Sequence, residues 1–121
     1  MAMILIVEDD AFIRELAEMM IRDGGYDTLS ASGVDDALLL LRSSQVIDAL
    51  FTDINLKTTI LGGCDLARQA IKLRPGLRVL YTTGNYITDK IRTLFVDGTH
   101  CLRKPYMLDQ LQHSLEELLA A

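Results

Sequence analysis

The stretch Ala49-Leu50-Phe51-Thr52-Asp53 sets a short, nearly continuous run of strand-forming residues directly before a carboxylate. A run this apolar and this short reads as a strand buried on both faces, the habit of parallel sheets. Three other runs repeat the layout. Met3 to Val7 ends in Glu8, Asp9 and Asp10, Arg78 to Thr82 ends in Thr83 and Gly84, and Cys101 to Arg103 ends in Lys104 and Pro105. In a parallel sheet such ends share one rim, so acidic, hydroxyl and cationic groups from distant parts of the chain are expected to converge there.

Between these runs the sequence has helical period. From Ala11 to Asp23 the positions Ile13, Leu16, Ala17 and Met20 are spaced for one inward face, Asp10 reads as the cap, and Gly24 with Gly25 supplies the stop. Asp27 to Ala31 is a more polar strand suited to an edge, and Ser32 with Asp35 resembles a capping pair before a helix over Val34 to Arg42. Lys57 to Gly63 reads as a loop, and Cys64 to Arg74 as a helix ended by Pro75 and Gly76. A helix is expected over Ile87 to Asp97, with Ile91, Leu94 and Phe95 inward and Gly98 as cap. Another spans Met107 to Leu119 with a stripe of Leu108, Leu111, Leu115 and Leu118. Five strands alternating with five helices imply right-handed crossovers and a doubly wound α/β sheet. In the order 2-1-3-4-5, Glu8, Asp9 and Asp53 would meet at the crevice between the first and third strands.

Composition narrows the partners. At 121 residues and 13.5 kDa, half of them hydrophobic, the chain is expected to form one domain over residues 1–121. A net charge of -5 and a pI near 4.8 argue against nucleic acid and anionic membranes, both of which favour a basic face. With no apolar run of membrane-spanning length and no leader-like start, a cytoplasmic location is expected. Cys64 and Cys101 lack a CxxC spacing and read as free thiols, Cys101 in the core. His100 and His113 read as solvated, and Met19-Met20 as helix packing.

Three carboxylates within a few Å repel each other by roughly 4 kcal/mol per pair at an effective dielectric near 20, so the cluster calls for a cation. Oxygen-only ligands suit Mg²⁺.

The run Ile4-Leu5-Ile6-Val7-Glu8-Asp9-Asp10, followed by Asp53, Thr83-Gly84 and Lys104-Pro105, resembles the receiver domain of bacterial two-component response regulators, stand-alone or excised from a hybrid histidine kinase. The likeness covers essentially the whole chain and includes the flavodoxin-like fold. It implies that Asp53 is the phosphoacceptor, taking a phosphoryl group from phosphohistidine or a small donor. It also implies that Asp9 and Asp53 ligate Mg²⁺ directly, that Glu8 acts through water and that Asn55 offers its backbone carbonyl. Lys104 and Thr83 would contact phosphoryl oxygens, Gly84 would add a backbone donor, and the peptide before Pro105 would be cis. The implied partners are a sensor histidine kinase or histidine phosphotransfer protein and a downstream protein target, the target docking on the face of the fourth helix, fifth strand and fifth helix. Such a domain is a signalling phosphoacceptor that catalyses its own phosphorylation and dephosphorylation, and is otherwise no enzyme.

The chain departs from the family pattern in two places. Cys101 stands where an aromatic residue is usual three positions before the lysine, and Tyr86, in Tyr81-Thr82-Thr83-Gly84-Asn85-Tyr86, is the candidate substitute for that moving ring. Lys57 replaces a frequent proline, and Gly62 and Gly63 arrive one or two positions late. Two other classes of function fit parts of the pattern. An interaction module of receiver fold would signal without phosphorylation. A Mg²⁺-dependent aspartyl phosphatase would also use a strand-end aspartate, but it would carry a second aspartate where Asn55 stands and a cap domain.

Overall fold

The computed structural model describes residues 1–56, 61–96 and 100–120. Its elements are β1 (Met3–Val7), α1 (Ala11–Asp23), β2 (Asp27–Ala31), α2 (Val34–Arg42), β3 (Ala49–Asp53), α3 (Gly62–Leu73), β4 (Arg78–Thr83), α4 (Asp89–Arg92), β5 (His100–Arg103) and α5 (Leu108–Ala120). The strands form one parallel sheet in the order β2-β1-β3-β4-β5. The polar β2 is at an edge and β3, fully buried, is central, as their compositions lead one to expect.

Alternation along the central strands divides the core in two. Leu5, Val7, Leu50, Val79 and Tyr81 face α2 and α3, together with Cys64, Leu66 and Ala67. Ile4, Ile6, Phe51 and Leu80 face α1 and α5, meeting Ala17, Ile21, Leu111, Leu115 and Leu118. Every strand therefore points its carboxyl end to the same rim.

Several local expectations need correction. On α1 the buried residues are Ala17 and Ile21, whereas Leu16 faces outward beside a surface groove. The 3.6-residue period carries the inward face from Ala17 to Ile21 and leaves Leu16 at its margin. Leu108 likewise stands at the exposed start of α5, and Met19 is 64% exposed. The N-cap of α2 is Gly33 without a side-chain cap, and the Ser32 hydroxyl bonds Asp36 instead, at 3.1 Å. α3 starts at Gly62, two residues early. α4 is a single turn rather than a helix from Ile87: Thr88 accepts the Ile91 N–H and sets the start. Beyond it, the Thr93 hydroxyl donates to the Lys90 carbonyl, and Leu94 and Phe95 bond the carbonyls three residues back. Those tight turns end the α-helical ladder. The expected continuation to Asp97 and its Gly98 cap, like Lys57 in the loop after β3, lie outside the described residues. Asp10 does cap α1, accepting from Ile13 N–H at 3.0 Å.

Candidate phosphoacceptor and metal pocket

The rim brings together what the strand ends promised. The Lys104 ammonium, at the end of β5, donates to Glu8 Oε1 at 2.6 Å and to Asp53 Oδ2 at 2.8 Å, joining residues 96 and 51 positions apart. Carboxylate oxygens of Glu8, Asp9 and Asp53 lie within 4.8 Å of one another. The Lys104–Pro105 peptide is cis. Three carboxylates against one ammonium leave an excess of negative charge, and the donors are all oxygen. The chemistry of that donor set fits a hard divalent cation such as Mg²⁺.

Each acid is held in its own way. Glu8 Oε2 accepts the Asp10 N–H at 3.3 Å, and the Arg14 guanidinium donates to the Glu8 carbonyl at 2.9 Å. Asp53 Oδ1 accepts the Asn55 N–H at 3.3 Å. Burial raises the Glu8 carboxyl above its ordinary pKa, against the pull of Lys104. Burial acts to lower Lys104, but its bonds to Asp53 and Glu8 outweigh that and raise it. Lys104 therefore stays charged at neutral pH.

That sign yields a prediction. With its pKa raised on folding, Lys104 contributes stability that is complete at neutral pH and is lost only as pH climbs through its folded value. Lys104→Met leaves the Glu8 and Asp53 side chains, only 6% and 12% exposed, without their cation. A loss of about 2 kcal/mol at neutral pH is expected, below the usual cost of breaking a fully buried pair because Lys104 is part-exposed. The deficit should shrink between neutral and mildly acidic pH, as Glu8, raised by burial, takes up a proton. Urea denaturation at both pH values checks this, and an equal loss at both would contradict it.

The remaining candidates are spread around the rim. The Thr83 hydroxyl is buried and accepts the Asn85 N–H at 3.1 Å, while the Thr83 carbonyl accepts the Lys104 N–H at 2.8 Å. Gly84 is exposed, and a side chain there would meet nothing within 4 Å. Tyr86 is 77% exposed, with the Arg103 guanidinium 4.1 Å above its ring. Behind the rim the Tyr81 ring stacks on Phe95 at 4.4 Å, in register with the half-buried Cys101. Burial pushes the Tyr81 phenol up to about 12 and the Cys101 thiol to about 11, so both stay neutral. The inner space beside β5 is thus filled from β4. His113 lies on the exposed side of α5 and pairs with Glu117.

Two features were not anticipated from the sequence. Gly63 packs so closely on β3 that a Cβ would lie 1.9 Å from the Asp53 carbonyl oxygen. Asn55 uses its side chain as well as its backbone, accepting the Leu61 N–H at 3.0 Å. The paired late glycines were the signal for the first, and no local pattern marked the second.

Fold and pocket together define a flavodoxin-like α/β module with an acidic, lysine-bridged cleft at its topological switch point. More particularly, the chain belongs to the response regulator receiver domain family, whose model matches residues 4–116. It is 32% identical over 95 residues, 78% of its length, to a response regulator receiver protein of Anaeromyxobacter sp. (strain Fw109-5). Over 114 residues, 93% of its length, it is 31% identical to the sensor histidine kinase RcsC of Salmonella typhi. It spans only 38% of the first relative and 12% of the second. Among solved structures, a receiver protein from Sinorhizobium medicae WSM419 superposes with a TM-score of 0.89 at 27% identity, covering 99% of this chain and 95% of that one. The receiver domain of the hybrid histidine kinase CckA gives 0.80 at 25% identity, covering 98% and 99%. Among the described residues, no helix is long and apolar enough to cross a membrane.

Proposed function

We propose that the chain is the phosphoacceptor of a two-component phosphorelay, receiving a phosphoryl group on Asp53 from a phosphohistidine and thereby switching a protein-docking face. The observation that carries this reading is the Lys104 ammonium bridging Glu8 and Asp53 beside Asp9. An Asp53 carboxylate oxygen attacks phosphorus in line, the P–N bond breaks and the nitrogen leaves with its electron pair. Asp9, Asp53, the Asn55 carbonyl and, through water, Glu8 would hold Mg²⁺, which when bound would neutralise charge on the phosphoryl oxygens. Lys104 passes from its resting carboxylate partners to a phosphoryl oxygen. The Thr83 hydroxyl exchanges the Asn85 N–H for another, and the Gly84 N–H gives a third contact. Moving a two-state domain from about 1% to 99% active takes ~5.5 kcal/mol, and each charge-assisted bond contributes ~1.5 to 3 kcal/mol, so the switch needs several of these contacts at once.

Readout falls to the face of α4, β5 and α5, where Tyr86 takes the place of the missing aromatic. Release of its ring from Arg103 is the movement that reports Thr83. The phosphodonor docks elsewhere. Phe12, Leu16 and Met19 are exposed on α1 beside a groove of about 470 Å³ that runs past Ile13 and Met20 to Lys104 and Tyr106. A helical donor with an apolar face fits this approach to Asp53. Leu16→Glu is accordingly expected to slow transfer from a protein donor about tenfold or more while leaving labelling by acetyl phosphate unchanged. Equal slowing with both donors would remove α1 from the docking face.

The reading itself is tested by intact mass after incubation with acetyl phosphate. One phosphoryl group per chain is expected with Mg²⁺ and none with a chelator. Steady turnover of phosphate esters without labelling of the protein would favour a phosphatase instead.

A further inference from the structure

Leu61 is the one described non-glycine residue with a positive φ, at 58°, and it is the N-cap of α3 without a side-chain bond to the helix. A branched side chain in that region is strained and persists only where its surroundings hold it. Asn55 supplies that hold. The Leu61 N–H donates to Asn55 Oδ1 at 3.0 Å, six residues back, while the Asn55 N–H donates to Asp53 Oδ1 at 3.3 Å. A second tie lies alongside, from the Gly63 N–H to the Ile54 carbonyl at 2.9 Å. Asn55 is thus gripped at its side chain by the start of α3 and touches the Asp53 carboxylate with its backbone.

We infer that Asn55 is a positioning residue: its carboxamide clamps the left-handed Leu61, and the clamp fixes the peptide that aims the Asn55 N–H at Asp53 and its carbonyl at the metal pocket. The metal half of this inference rests on the function proposed above. The geometry has a directional consequence. A turn of the Asn55 peptide on metal binding or phosphorylation pulls on Leu61, so the start of α3 senses the occupancy of the pocket. Because the clamp's function is to hold a strained backbone, a residue at position 61 that adopts the left-handed region freely relieves the need for it. A simple packing role for Asn55 would not have this property.

The test uses the intact chain in four forms: wild type, Asn55→Ala, Leu61→Gly and the double variant. Amide hydrogen exchange of the metal-free proteins reads the clamp directly, and Mg²⁺ titration followed by NMR reads the pocket. Asn55→Ala is expected to deprotect the Leu61 amide and weaken Mg²⁺ binding by about five- to tenfold, the worth of one hydrogen bond. Leu61→Gly in the double variant is expected to restore most of that affinity. It should do so even though its melting temperature falls, since Leu61 packs against the core. Unchanged Leu61 exchange in Asn55→Ala, unchanged Mg²⁺ affinity, or no restoration by glycine would each overturn the inference. Should wild type itself bind no Mg²⁺, the proposed function fails. The exchange of the Leu61 and Asn55 amides would still decide the clamp, and loss of protection at both in Asn55→Ala would sustain it. If Asn55→Ala does not fold, Asn55→Ser takes its place with the same outcomes.

Discussion

Replacing Asp53 by alanine or asparagine is expected to abolish phosphoryl labelling by acetyl phosphate and Mg²⁺, with the fold retained. Glu8 and Asp53 are held alike, each with one oxygen on the Lys104 ammonium and the other on a backbone N–H at 3.3 Å, so it is the consequence of removing each that separates them. Asp53 ends the central strand β3 and shares the cleft with Asp9, where the proposed function puts the acceptor. Loss of its charge still leaves Lys104 paired with Glu8, so a melting temperature within a few degrees of wild type is expected, separating lost chemistry from lost structure. Label persisting on the asparagine variant would place the acceptor elsewhere. A variant that binds its partner protein just as wild type does would instead support a module that signals without phosphorylation.

Gly63→Ala is the substitution expected to cost most in stability. The new Cβ would lie 1.9 Å from the Asp53 carbonyl oxygen and 2.8 Å from its carbon, both backbone atoms that no rotamer change can move aside. Either α3 lifts from the sheet, breaking the Gly63 N–H bond to the Ile54 carbonyl, or the end of β3 shifts and carries the phosphoacceptor with it. Overpacking of this kind costs about 3 kcal/mol, which for a domain of this size lowers the melting temperature by about 10 °C. Labelling of Asp53 should fall in the same variant, because the carboxylate leaves the reach of Lys104. Calorimetry together with the labelling assay checks both, and a variant that melts within a couple of degrees of wild type would show that α3 yields more easily than its contacts imply.

How far the site was visible before folding depends on the kind of signal each residue gives. Asp53, Glu8, Asp9 and Lys104 each end an apolar run, so a strand-counting reading finds them without coordinates. The cap at Asp10 was equally local and held at 3.0 Å. The clamp between Asn55 and Leu61 spans six residues with no periodic pattern, and a left-handed leucine breaks the residue preference that would have announced it. α4 misled because Ile91, Leu94 and Phe95 have helical spacing, and in the structure they do pack against the core, yet Thr88 and Thr93 confine the α-helical turn to four residues.

From its order of residues alone this protein owes its alternating strands and helices, its acidic balance and the set of polar groups at its strand ends, because periodicity and punctuation are properties of neighbours along the chain. Tertiary structure decided which of those groups touch. The ammonium of Lys104 reaches Glu8 across 96 residues only because β5 and β1 belong to one parallel sheet, and Gly63 lies against Asp53 only because α3 crosses the end of β3. Contacts between distant segments follow from packing two layers of helices on a sheet, and no local propensity carries that information.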